Sequence, residues 1–215
     1  EYARGRGVGG SSAVNAMIGL WGEVEDYDSW ERDFGCVGWS WRDVEPYFRR
    51  IEIPLTQADV GAPSRIGAGL FEACRTEGWL WHRGPYPLGA VGGDAGPAML
   101  TRTPDGHRVS AADIYLNRAR QRPHVQVVCD VLVDHIAIEN GRAVGVVLAD
   151  GTLIESAEVV VAAGSIHSPA ILLRSKIDRP GIGQGWQDHP SAPLTVALKE
   201  NCSIDELAVT TLARF

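Results

Sequence analysis

The sequence predicts an α/β fold, and three stretches carry that reading. Val159-Val160-Val161-Ala162-Ala163 is a short apolar run of the kind a strand buried on both faces shows. It ends in Gly164, ahead of Ser168-Pro169 and Ile171-Leu172-Leu173, so strand, glycine and helix follow one another as in the βα unit of an open sheet. Gly5, Gly7, Gly9 and Gly10 run into Ser11-Ser12-Ala13-Val14-Asn15-Ala16-Met17-Ile18, a loop feeding a helix N-terminus with serine at the cap. A valine-rich stretch runs from Val125 to Ile138, turns at Asn140-Gly141, returns from Val144 to Leu148 and turns again at Asp150-Gly151, which spells a three-stranded β-meander.

Further elements fit around these. Ser40 and Asp43 stand at capping-box spacing before Val44, Tyr47, Phe48 and Ile51, which share one helical face, with Pro46 in the first turns. Ser64 opens another helix, with Ile66, Leu70, Phe71 and Cys74 on one side and Gly78 where it should stop. From Trp79 to Pro104, Gly and Pro are frequent and periodicity is absent, so an irregular excursion is expected, either a plain surface loop or a lid. Ser110 caps a helix carrying Ile114 and Leu116, whose end is marked by the basic run Arg118 to Arg122 before Pro123.

Composition bounds the function. The 215 residues are 45% hydrophobic, 22% charged and 7% aromatic, the mix of an ordinary globular protein of one or two domains. A net charge of -7 gives no positive field for a phosphate polymer or an anionic bilayer, which argues against a nucleic-acid partner. No apolar run approaches the roughly 18 residues a membrane span needs. A water-soluble, cytoplasmic protein is expected. The sequence opens at Glu1 in a glycine-rich motif with no signal-peptide core, as an internal piece of a longer chain would. Cys36, Cys74, Cys129 and Cys202 form no C-x-x-C pair, so they read as reduced, mostly buried thiols and not as a metal site. Asn201-Cys202-Ser203 matches a glycosylation acceptor by letter only, since nothing else suggests secretion.

Two places could hold chemistry. Glycines let a backbone approach a bulky anion, and N–H groups at a helix start favour negative charge, so the run from Gly5 to Asn15 suits a pyrophosphate. The same run also serves as a tight turn before a helix. The strand end at Ala163-Gly164 lies where open α/β sheets bind nucleotides, although alone it is only a βα unit. His82, His107, His124, His135, His167 and His189 each have an ordinary structural role open to them, His189 through a hydrogen bond in an Asp-His-Pro turn. Gly164-Ser165-Ile166-His167-Ser168 does not supply the G-x-S-x-G elbow of a serine hydrolase. Trp39, Trp41, Trp79 and Trp81 either pack in a core or stack on a ring.

Taken together, the motifs resemble the glucose-methanol-choline (GMC) family of flavin-dependent oxidoreductases. Gly5-Arg6-x-x-Gly9-Gly10-Ser11-Ser12-x-x-Asn15-x-Met17 is similar to that family's first signature. Asp26-Tyr27-Asp28-x-Trp30 and Gly38-Trp39-Ser40 to Tyr47-Phe48-Arg49-Arg50 follow in the same order. Arg108-x-Ser110-Ala111-Ala112, the meander, Ala163-Gly164-Ser165-Ile166-x-Ser168-Pro169-x-Ile171-Leu172-Leu173 and Gln187-Asp188-His189-Pro190 complete the series, which covers residues 4 to 195. The resemblance implies a discontinuous, Rossmann-like doubly wound FAD-binding domain with part of an α+β substrate domain. It divides the chain into residues 1–25 (flavin-binding loop and helix), 26–105 (helical and irregular insertion), 106–190 (flavin-binding helix, meander and strand-helix) and 191–215 (start of the substrate domain). It implies FAD bordered by Gly10, Ser11, Asn15 and Ala16, with the main chain of Val133 meeting the adenine and Ala163 and Gly164 close to the dinucleotide. Val14 stands where some relatives attach the flavin through His, so a non-covalent cofactor is implied.

The resemblance also implies hydride transfer from the CH–OH carbon of a small-molecule alcohol to flavin N5, without specifying the alcohol or the electron acceptor. Departures from the pattern matter too. The G-x-G-x-x-G strand-turn-helix for ADP is not in the chain, and the catalytic His pair is expected beyond Phe215, so no catalytic residue is assigned and the isolated chain is expected to be inactive. Ser175-Lys176-Ile177-Asp178 replaces the usual Ser-Gly-Ile-Gly, and the stretch to Gln187 is shortened. A non-catalytic homologue serving as a binding or subunit module is the alternative. Among family members the sequence resembles bacterial choline-dehydrogenase-type proteins, and within them the subgroup accompanying the redox cofactor mycofactocin. Lys176 and Lys199 stand against many arginines, a bias that fits a GC-rich bacterial genome.

Overall fold

The computed structural model describes residues 3–58, 65–81, 94–189 and 211–214. Two compact units divide the chain, Glu1–Val127 with Cys202–Phe215, and Val128–Asn201. Among the described residues no helix is long and apolar enough to cross a membrane.

In the first unit, the glycine run folds into a single 3₁₀ turn, Gly10–Ala13, and not into the longer helix expected there. The cause is local. Asn15 Oδ1 accepts the Met17 N–H at 3.0 Å, and Met17 takes a left-handed φ of 64°, which diverts the chain out of helical geometry. Helix α1 (Val24–Phe34) starts where the Glu23 N–H donates to Asp26 Oδ2, and it ends at Gly35 with φ 68°. Helix α2 (Trp41–Phe48) starts as its sequence requires, with Ser40 Oγ donating to Asp43 Oδ2 at 2.5 Å. Tyr27, Trp41, Phe48 and Trp21 pack ring against ring, with centroids 5.1 to 6.1 Å apart, so Trp41 takes the packing role. Trp39 leans on Trp30 at the exposed rim of this cluster.

Helix α3 (Arg65–Thr76) stops at Gly78, whose φ of 78° lets its N–H reach Arg75 O. Of the irregular excursion, residues 82–93 lie outside the described residues. Its flanks are strands: β1 (Thr56–Gln57) pairs with β4 (Met99–Leu100), and β3 (Asp94–Pro97) lies between β2 (Leu80–Trp81) and β8 (Thr211–Arg214). Ile18 bridges Leu100 from the other side, and Ala58, Ala98 and Leu100 form a small buried core with Met17 against it. The Ser110 helix is a π-helical turn, Ala112–Leu116, running into α4 (Asn117–Ala119).

The second unit is built on the expected meander, β5 (Val133–Glu139), β6 (Arg142–Leu148) and β7 (Leu153–Glu155), all antiparallel. Asn140 and Gly141, at φ 50° and 78°, make the β5–β6 turn. Residues from Val125 to Leu132 stay outside the ladder. Helix α5 (Gly164–Arg174) begins four residues ahead of Ser168 and packs on β5, where Ile136 and Ile171 are buried. Buried Ser175 ties them: its Oγ accepts the Ile136 N–H at 2.8 Å and donates to Ile171 O at 2.6 Å.

Two expectations are corrected here. Val159 to Ala163 pairs with no strand among the described residues, and Val160 is 81% exposed. An apolar run becomes a buried strand only when a neighbour supplies the ladder and the cover, and none of the described elements does so. Of the cysteines among the described residues, Cys74 is buried, while Cys36 and Cys129 are exposed. Cys202 lies outside the described residues.

Candidate functional site

The glycine run becomes a preorganised loop through bonds made by its own chain. Gly7, Gly9 and Gly10 take φ of 148°, 91° and 55°, conformations in which only glycine is relaxed. Gly10 N–H donates to Gly7 O at 3.0 Å, and Gly5 N–H donates to Ser11 Oγ at 3.2 Å, closing the loop on itself. Gly5 has no room for a side chain, because a Cβ there would overlap the Gly10–Ser11 peptide.

A second set of bonds comes from the chain around residue 110. Beyond β4, the backbone of Arg102 pairs with that of Arg108 across a tight turn in which Thr103 N–H donates to His107 O at 2.8 Å. Arg108 is thereby returned to the loop. Its Nη1 donates to Asn15 Oδ1 at 2.7 Å and to Ser12 O at 3.3 Å, and its Nη2 donates to Asn15 O at 2.7 Å. Ser12 Oγ donates to Gly9 O and accepts the Ala111 N–H at 3.0 Å. The Ser110 N–H and hydroxyl both donate to Asp113 Oδ2, at 2.8 and 2.6 Å. These bonds, the hydroxyl first, hold the Asp113 carboxyl below its ordinary pKa.

Gly10, Ser11, Asn15 and Ala16 are therefore gathered in one loop of the first unit. In the second unit the remaining candidates sit on separate elements. Val133 opens β5 opposite Leu148, while Ala163 caps α5 and Gly164 is its first residue, with φ 85°. Ala163 N–H donates to Ser168 Oγ at 3.0 Å, and Trp186 Nε1 donates to Ser165 Oγ at 3.3 Å. Beside Val133, Asp134 pairs with His135 Nδ1 at 2.8 Å and Arg174 Nε at 3.1 Å, and its carboxyl is held low, first by the His135 bond. His189 contributes its N–H to Asp188 Oδ1. His82 lies outside the described residues.

Arg108 was absent from the candidates drawn from sequence, as were Ser12 and Asp113. The signal available was the Arg108-x-Ser110-x-x-Asp113 spacing, a capping pattern with a cation two residues ahead, but its target lies 93 residues upstream.

The first unit thus holds a glycine-lined loop closed by its own chain and by Arg108, and the second a meander with a glycine-started helix, a fold of mixed helices and strands. The chain belongs to the GMC oxidoreductase family, whose match covers residues 1–191. It is 34% identical to the oxygen-dependent choline dehydrogenases of Pectobacterium atrosepticum and Burkholderia ambifaria over 95% of its own length and 42% of theirs. Its structure is similar to that of pyridoxine 4-oxidase from Mesorbium loti, with a TM-score of 0.73 and 26% identity over 82% of this chain and 38% of that one. An FAD-dependent oxidoreductase from Chaetomium thermophilum follows at TM-score 0.66 and 25% identity, covering 79% of this chain and 34% of that one. The chain thus spans less than half the length of the relatives it matches. Those relatives are enzymes.

Proposed function

We propose that this chain holds FAD non-covalently and serves an oxidoreductase acting on the CH–OH group of a small-molecule alcohol. The observation that carries the reading is the glycine loop. At Gly7 and Gly10 the direction a Cβ would take is empty to 4 Å, and Gly10 has a left-handed φ, so an anion can approach the main chain there without displacing anything. Gly164 has the same combination of a left-handed φ, at 85°, and open space. In the first unit Gly10, Ser11, Asn15 and Ala16 would border the diphosphate and flavin, and the family resemblance assigns the Val133 main chain to the adenine and Ala163 and Gly164 to the dinucleotide. Val14, with no nucleophilic atom, supports a dissociable cofactor.

Bound FAD supplies a two-electron acceptor for an alcohol carbon. The names of the relatives point to choline or pyridoxine as the kind of alcohol, a hydroxyl-bearing molecule with a nitrogen centre. No residue of this chain is proposed as catalytic, so retention of flavin, not turnover, is the test. The chain is incubated with excess FAD, freed of unbound flavin and examined by visible absorption. A retained flavin band at near-equimolar amount is expected; loss of the whole band on desalting would overturn the reading.

A further inference from the structure

We propose that Arg108 is a positioning residue that fixes the Asn15 side-chain amide with its NH₂ group outward, as a hydrogen-bond donor. The inference rests on the flavin-binding reading above and concerns how the loop recognises its ligand. Asn15 has two acceptor oxygens, and both are engaged. Oδ1 takes Arg108 Nη1 at 2.7 Å and the Met17 N–H at 3.0 Å, and the main-chain oxygen takes Arg108 Nη2 at 2.7 Å. Because Arg108 and the Met17 amide can only donate, the side-chain amide is fixed with its oxygen inward. Its NH₂ group is left outward, with no partner among the described residues, and Asn15 and Ala16 are exposed.

What the Asn15 side chain offers a ligand is therefore N–H and not C=O. That amide rewards an electron-rich edge and penalises a donor, which would find the side-chain oxygen already taken by two donors. The three bonds Arg108 makes, to Ser12 O, Asn15 Oδ1 and Asn15 O, all go to neutral oxygens, so its positive charge is not cancelled by them and reinforces the same preference. In FAD two kinds of group have this chemistry, the diphosphate oxygens and the carbonyl edge of the flavin ring.

The test compares FAD affinity and visible spectrum in the unsubstituted chain, Arg108→Ala, Arg108→Lys and Asn15→Asp, with thermal unfolding as the control. Asn15→Asp keeps an oxygen for Arg108 and so keeps the loop bonded, while replacing the outward donors by an acceptor. It is expected to weaken FAD binding at least about tenfold without lowering the unfolding temperature, which no purely structural role of Arg108 explains. Arg108→Ala is expected to lose about as much, with partial recovery in millimolar guanidinium. Arg108→Lys recovers little, because one ammonium cannot span Oδ1 and the main-chain oxygen as the planar fork does.

A shift of the visible band in the variants' residual bound flavin identifies the ring edge as the acceptor; weaker binding with an unchanged band identifies the diphosphate. If the unsubstituted chain retains FAD and Asn15→Asp binds it within twofold, this inference fails while the flavin reading stands. If the unsubstituted chain retains none, both fall.

Discussion

The loop from Gly5 to Ala16 and the segment from Val159 to Gly164 have similar promise in sequence and opposite condition in structure. Both combine small residues with a left-handed glycine at a helical start. The loop is held by bonds from Arg108, Ala111 and its own Ser11, so its shape is set by contacts spread over a hundred residues. Among the described residues the segment is held at its end by the bond from Ala163 N–H to Ser168 Oγ, and Val160 projects into solvent. Preorganisation comes from converging side chains, not from glycine. Glycine permits a conformation; other residues must select it.

Substitutions at the two places should separate these effects. The largest is expected away from both: Ile136→Ala removes the buried side chain under α5, costing about 3 kcal/mol by chemical denaturation and freeing the helix that carries Gly164. An unchanged denaturation midpoint would mean that α5 is anchored elsewhere. Gly5→Ala should cost about 2 kcal/mol, because its methyl meets main-chain atoms of Gly10 and Ser11 that cannot swing away. Gly164→Ala should cost about 1 kcal/mol, from its left-handed φ alone, since the space beside it is open. If the two glycine variants unfold alike, the loop is no more constrained than the segment.

Asp113→Asn tests the cap behind the loop through pH. The Asp113 carboxyl is held below its ordinary value of 3.8, so its contribution is full above that value and disappears as pH falls through the lower, folded one. The variant should therefore unfold more easily than the parent at pH 5 to 7, with the gap closing below about pH 3.8. A gap that is constant with pH would assign the effect to shape and not to charge. The smallest effect is expected at Val160→Thr, within about 0.5 kcal/mol, because a side chain already in water loses nothing.

How much of this was readable beforehand follows from the range of each interaction. The meander was legible because Asn140-Gly141 and Asp150-Gly151 encode their turns within two residues, and α2 was legible because Ser40 and Asp43 are three apart. Helix α1 was not, since its start uses Glu23 and Asp26 in place of the usual small cap and its body is mostly polar. The segment Val159 to Ala163 read as a strand because hydrophobicity reports a wish for burial, while a ladder partner has to come from elsewhere. In the loop, the glycines were visible and the clamp was not. Asn15 gives no local sign that a guanidinium arrives from far downstream to take its oxygens.

That long closure bears on how this protein tolerates change in length. The pairing of Arg108 with Asn15 pins together two points 93 residues apart, and the aromatic helix pair and α3 hang between them. Lengthening a closed excursion costs only the logarithm of its size, on the order of 0.6 kcal/mol per doubling. Material can be added or trimmed along the rim of that excursion while the pinned corner keeps its geometry, so one segment is free to diversify in size while the other is held to the atom.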